Sequence, residues 1–166
     1  MAGTIRAAAL VGACTIAADQ ASKAAVQILP VTGIFHPLVN PEFTLGVASA
    51  SRAVMLVLMG LGIAAAAVVG LRASARGVVP AAAVGLMVAG AASNLLDRVF
   101  LDAVRDFLVI GTVVVNLADL AVVAGLIGCA WSLPNRRRAA KLGRQSRRTT
   151  SPASASCKAS RPTLAP

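Results

Sequence analysis

Apolar residues in this chain gather into four long runs with little charge inside them. The first extends from about Ile5 to Leu29 and is interrupted by Asp19 and Lys23; the others are Ala53 to Leu71, about Val78 to Leu96, and about Thr112 to Leu133. A helix of about 20 residues is roughly 30 Å long, the thickness of a bilayer's hydrocarbon core. Pro30, Pro80 and Pro134 sit at or near the ends of three runs, where proline is tolerated. The pattern predicts an α-helical integral membrane protein, a four-transmembrane-helix bundle. Between the first two runs, Pro30 to Arg52 mixes polar and apolar residues in a way that hints at short strands. From Pro134 onward the chain is rich in Arg, Ser, Ala and Pro without apolar periodicity, which predicts a disordered tail. The expected organisation is a membrane domain over 1–133 and a basic tail over 134–166. Arg6 ahead of an apolar run also fits a cleaved signal peptide, but the run resumes after Lys23 and is long enough to span.

Composition agrees with a membrane protein: 57% of the 166 residues are hydrophobic, against about 45–50% in soluble domains. The net charge of +10 is unevenly placed, with nine of the sixteen basic residues after Leu133, where there is no acid. Such a balance can signal nucleic acid; a basic segment beside a membrane helix is better read as cytoplasmic. Arg72 and Arg76, between the second and third runs, belong to the same side. Both termini are then cytoplasmic, and residues 30–52 and 97–111 lie outside. Cys14, Cys129 and Cys157 form neither a disulfide framework nor a metal site.

All six acidic residues, Asp19, Glu42, Asp97, Asp102, Asp106 and Asp119, fall in the outer half of this topology. Two of them, Asp19 and Asp119, are embedded in apolar runs, where an ionisable group costs at least ~2.5 kcal/mol and is a functional candidate. Asp19 and Lys23 are four apart and share a helix face, either as an ion pair that lowers its own burial cost or as part of a cavity wall. Asn94, Asp97 and Arg98 share a face of the third helix; Asn116 and Asp119, three apart, begin the fourth. A helix-end solvation cluster accounts for Asp97, Asp102 and Arg105, but not for Asn116 and Asp119 within VVVNLADLAVV. Several chemistries compete at this point. A zinc peptidase lacks ligands, since His36 is the one histidine and there is no HExxH. A Ser–His–Asp triad needs that same histidine. A Ser93–Lys23 pair meets a lysine that Asp19 neutralises. An aspartyl pair and a proton- or ion-coupled transporter remain close, although the second helix and the inner halves of the third and fourth carry no ionisable residue to line a path.

The motifs DQASK at 19–23, Asn40 followed by Phe43 and Gly46, GAASNLLDR at 90–98, RDF at 105–107 and NLAD at 116–119 occur in that order. Together they resemble the lipoprotein signal peptidases, the bacterial signal peptidase II enzymes, over residues 10–130. The resemblance implies a small extracytoplasmic β-sheet cradle on the four-helix bundle. It implies an aspartyl endopeptidase that cleaves signal peptides from prolipoproteins just before a diacylglyceryl-modified cysteine. Its catalytic aspartates fall on Asp106 and Asp119, and its supporting polar residues on Asp19, Lys23, Asn40, Asn94, Asp97, Arg98 and Asn116. It implies no metal or other cofactor, partners that are prolipoproteins and membrane lipid rather than nucleic acid, and a site at the outer face of the bacterial cytoplasmic membrane. The chain departs from the family pattern at Pro41, Glu42 and Phe43, at Val115, and in a shorter stretch between Asp106 and Asp119.

Overall fold

The computed structural model describes residues 1–28, 33–40 and 52–132. The expectations for the basic segment after Leu133 and for Pro41, Glu42 and Phe43 lie outside these residues. In chain order the elements are α1 (Ala2–Ile28), β1 (Phe35–Asn40), α2 (Arg52–Ala75), α3 (Ala81–Leu101), β2 (Val104–Ile110), β3 (Val113–Val115) and α4 (Leu117–Ser132). Among the described residues, three helices, α1, α2 and α3, are long and apolar enough to cross a membrane, and the described part of α4 is apolar and shorter, roughly 24 Å at 1.5 Å per residue.

α3 is the spine of the bundle, with α1 and α2 packed against it and α4 approaching it through small residues. A Cβ added at Gly85 would lie 2.5 Å from the Ala8 carbonyl oxygen of α1, and one at Gly125 would lie 2.6 Å from the Ala83 carbonyl oxygen and 2.7 Å from the Met87 nitrogen of α3. Backbones therefore meet where side chains would stand, the route by which membrane helices gain dispersion contacts when lipid removes the hydrophobic drive. Between α2 and α3 the chain turns on Gly77, whose φ is +65°. The Val78 N–H donates to the Ala73 carbonyl and the Gly77 N–H to the Ser74 carbonyl, both at 2.8 Å, a Schellman closure. Pro80 then stands just ahead of α3.

At the opposite end lies an antiparallel sheet in the order β1-β2-β3. It joins the two connections that the charge pattern puts on one side of the membrane. Three boundaries differ from expectation. The described part of 30–52, residues 33–40, supplies one strand, and the other two come from 104–115, the stretch read as a loop and a helix start. α3 does not stop at Leu96 but runs through Asp97 and Arg98 to Leu101, because those two side chains are buried against partners inside the bundle. Val113–Val115 is too short an apolar run for its period to separate strand from helix; a two-residue turn at Gly111-Thr112 pairs it with β2.

The close approach at Gly125 carries a prediction. Gly125→Ala should cost about 1–3 kcal/mol as an overpacked contact, and Gly125→Leu should leave little folded protein, read as the fraction of purified protein that unfolds cooperatively in detergent.

Candidate active site

Nine polar side chains are buried among the described residues, and all but Ser74 gather at the sheet end of the bundle. Among the described residues no buried polar track continues toward the other end, as an ion path would need.

The cluster begins with Lys23 of α1, 1% exposed. Its ammonium lies 2.6 Å from Asp19 Oδ2, 3.1 Å from Asp97 Oδ2 and 3.0 Å from Asn94 Oδ1. An ammonium has three protons, and all three have acceptors. Lys23 is therefore a fixed cation between α1 and α3 rather than a base, and Ser93 does not act with it: the Ser93 hydroxyl donates to Asp19 Oδ2 at 2.7 Å. Asp97 is held from a second side by Arg105, whose Nη2 lies 2.7 Å from Oδ1 and whose backbone N–H donates to Oδ2 at 3.2 Å. Gln20 closes the ring, donating to Ser93 Oγ and to Asp97 Oδ1 at 3.0 Å and accepting from Arg105 at 2.6 Å. Two aspartates, one lysine and one arginine sum to zero charge, which is how buried ions become tolerable.

Asp19 has a further partner. Its Oδ1 accepts the backbone N–H of Ala118 at 2.8 Å, one of the orphan donors in the first turn of α4. The rest of that turn is a reciprocal cap. Asn116 stands just before the helix and its Oδ1 accepts the Asp119 N–H at 2.9 Å, while Asp119 Oδ2 accepts the Asn116 N–H at 3.2 Å. This is the capping-box arrangement, with asparagine and aspartate in place of the commoner pair. It fixes where Asp119 points, and the helix start favours negative charge there.

Asp106 comes from the middle of β2 and is 6% exposed. Asn116 Nδ2 donates to Asp106 Oδ1 at 2.7 Å and also to Asn94 Oδ1 at 3.0 Å, while Asn94 Nδ2 donates to Asp119 Oδ1 at 2.8 Å. The two carboxyl groups are thus joined as Asp106–Asn116–Asn94–Asp119. Asn40 of β1 adds a side-chain hydrogen bond to Asp106. Arg98 is buried within electrostatic reach of both carboxyl groups. Burial, with the nearby Asp119 charge adding to it, pushes the Asp106 carboxyl above its ordinary range, against the opposing hydrogen bonds from Asn116 and Asn40 and the charge of Lys23.

All nine residues singled out in the sequence, Asp19, Lys23, Asn40, Asn94, Asp97, Arg98, Asp106, Asn116 and Asp119, meet in this cluster. Sequence reasoning missed Gln20 and gave Ser93 and Arg105 other roles. Spacing held the signal: Gln20 is three residues from Lys23, and Ser93 is four from Asp97. Arg105 has no such mark, since only the strand brings it back to Asp97. His36 is exposed on β1, and the described residues contain no group of three or more His, Cys, Asp or Glu suited to a metal ion.

Comparison with known proteins gives a family by sequence and a shared fold by structure. The family model for signal peptidase (SPase) II matches residues 11–134. A lipoprotein signal peptidase from Pelotomaculum thermopropionicum is 37% identical over 134 residues, covering 74% of this chain and 88% of that protein. Two solved bacterial membrane enzymes, determined by the in meso method, superpose with TM-scores of 0.66 and 0.64 at 20% and 21% identity. The alignments cover 79% and 78% of this chain and 89% and 93% of theirs, so the likeness to them is one of fold.

Two predictions follow from the electrostatics. Asp19→Ala leaves the buried Lys23 short of a carboxylate and should cost about 3–5 kcal/mol, seen as a lower midpoint of denaturant unfolding in detergent. The second concerns pH. A carboxyl group raised in the folded state binds more protons folded than unfolded, so the fold loses stability as pH rises from the ordinary carboxylate range through the raised value. Asp106→Asn removes that loss. Its melting temperature should exceed the parent's at neutral pH, and the two curves should converge below about pH 4.

Proposed function

The chain belongs to the signal peptidase II family, and on that footing we propose that it works as an aspartyl endopeptidase with Asp106 and Asp119 as its catalytic pair. It is a peptidase of the bacterial membrane that removes lipoprotein signal peptides. The observation that carries the proposal is the amide bridge: two carboxyl groups from a strand and a helix start, held in one hydrogen-bonded unit through Asn116 and Asn94.

Burial and the nearby Asp119 charge both favour the protonated form of Asp106, and in the proposed working state the pair holds one proton between them; the aspartic-protease dyad is the general example. The charges favour the same state. Asp19, Asp97, Lys23 and Arg105 already balance, so Arg98 is matched by a pair carrying a single negative charge. In the reaction the ionised carboxylate takes a proton from water as the water oxygen bonds to the scissile carbonyl carbon, and the protonated carboxyl donates to the carbonyl oxygen. The tetrahedral intermediate returns that proton and its C–N bond breaks. The nitrogen leaves as an amine carrying the proton taken from water, the new carboxyl remains on the signal peptide, and the pair again holds one proton.

The substrate class fits the surroundings. A groove of about 360 Å³ among α2, α3 and α4, lined by Met59, Ile63, Met87 and Val122, ends at Asn94 and Arg98. It accepts an apolar chain from the bilayer and presents its polar end to the pair, as a diacylglyceryl-modified prolipoprotein requires. The pair then faces the outer side of the membrane and both termini the cytoplasm, the orientation that the arginines of the α2–α3 turn favour.

Asp106→Asn and Asp119→Asn, each alone, should abolish cleavage of a lipid-modified prolipoprotein in detergent while the protein remains folded. The double variant should be no worse than either, because each change already removes the working pair. Near-normal turnover by either single variant overturns the proposal.

A further inference from the structure

A second cavity reaches Asp106 from the other side. It measures about 240 Å³ and opens between the end of α1 and strands β1 and β2, with Asp106 and Lys23 in its wall beside Gln27, Val39 and Arg105. The apolar groove meets the cluster at Asn94 and Arg98, and the two cavities share no lining residue. Among the described residues, the two cavities meet the hydrogen-bonded unit at different members, Asn94 on one side and Asp106 on the other.

We propose that the cavity beside Asp106 is the route by which the hydrolytic water enters, distinct from the groove that admits substrate. This rests on the peptidase reading above. Each cleavage consumes one water, and a lipidated substrate seated in the groove fills that side with hydrocarbon. Apolar cavities of this size stay dry, whereas water occupies sites that offer two to four polar partners. The groove has polar groups only where it meets the cluster. The other cavity has the Asp106 carboxyl, the Gln27 amide and the Arg105 guanidinium, and at ~30 Å³ per water it has room for about eight molecules. Gln27 is exposed and Val39 is 63% exposed, so among the described residues these two side chains form the outer edge of the cavity beside the sheet. A water arriving here passes the Asp106 carboxyl before it reaches the carbonyl carbon, and its proton goes to whichever carboxylate of the pair is ionised.

The test narrows the mouth at two independent positions outside the catalytic cluster. Gln27→Ser, Gln27→Leu and Gln27→Trp, and separately Val39→Trp, are assayed with a lipid-modified prolipoprotein, and thermal unfolding checks the fold. The expected result is a kcat that falls as the side chain at position 27 grows, by about tenfold for tryptophan, with KM changed by less than about twofold. Val39→Trp should fall in the same way, and Gln27→Ser should match the parent. Unchanged kcat in both tryptophan variants overturns the proposal. So does a raised KM, or an altered preference for residues after the cleavage point, since either makes the cavity a substrate subsite. Failure of the peptidase reading looks different: the parent protein itself then leaves the prolipoprotein uncut, and the water route falls with it.

Discussion

One buried ammonium holds this structure together. Lys23 is buried almost completely between α1 and α3, and a bare cation there would be intolerable. Every neighbour that satisfies it does a second job. Asp19 also caps α4 through Ala118, Asp97 also holds Arg105 at the start of β2, and Asn94 also donates to Asp119. Helix α1, the spine α3, the strand bearing Asp106 and the helix bearing Asp119 are therefore positioned by bonds that lead back to one nitrogen. Such a buried ionic network is weak evidence of added stability, since well-packed apolar residues often do as well. Its value here lies in register: it sets which turn of α1 faces which turn of α3, and hence where the carboxyl groups stand.

The small residues serve the same end by different physics. Between apolar helices in lipid there is no hydrophobic drive to fix a register, and dispersion alone tolerates sliding. Gly85 and Gly125 let backbones interlock at contacts that a single added carbon would break. The polar cluster pins one end of the bundle, and the glycine contacts fix the packing along its length.

Much of this was legible in the sequence because membrane proteins make polar residues conspicuous. Asp19 and Asp119 stood out against apolar runs, and helical spacing put Asn94, Asp97 and Arg98 on one face. What periodicity could not supply was the pairing of residues distant in the chain. That Asp97 receives Arg105 depends on α3 continuing to Leu101, and charge inside a helix reads as a helix end unless its partners are known. Val113–Val115 gave no period to distinguish strand from helix. The role of Asn116 as a cap was hidden for a related reason: a spacing of three serves both a shared helix face and a capping box, and only the backbone decides. The pairing of Asp106 with Asp119 came from the resemblance, since no spacing rule links a strand to a helix start.

The cap at the start of α4 binds mechanics to chemistry. Asp119 holds the first turn of its helix by accepting the Asn116 N–H, and a neutral carboxyl accepts such a bond less strongly than a carboxylate. In the proposed cycle the tightness of that turn therefore rises and falls with the proton. The bond that closes the helix start and the proton that serves the pair then act on the same few atoms, so a change at the Asn116 cap is felt at the carboxyl pair.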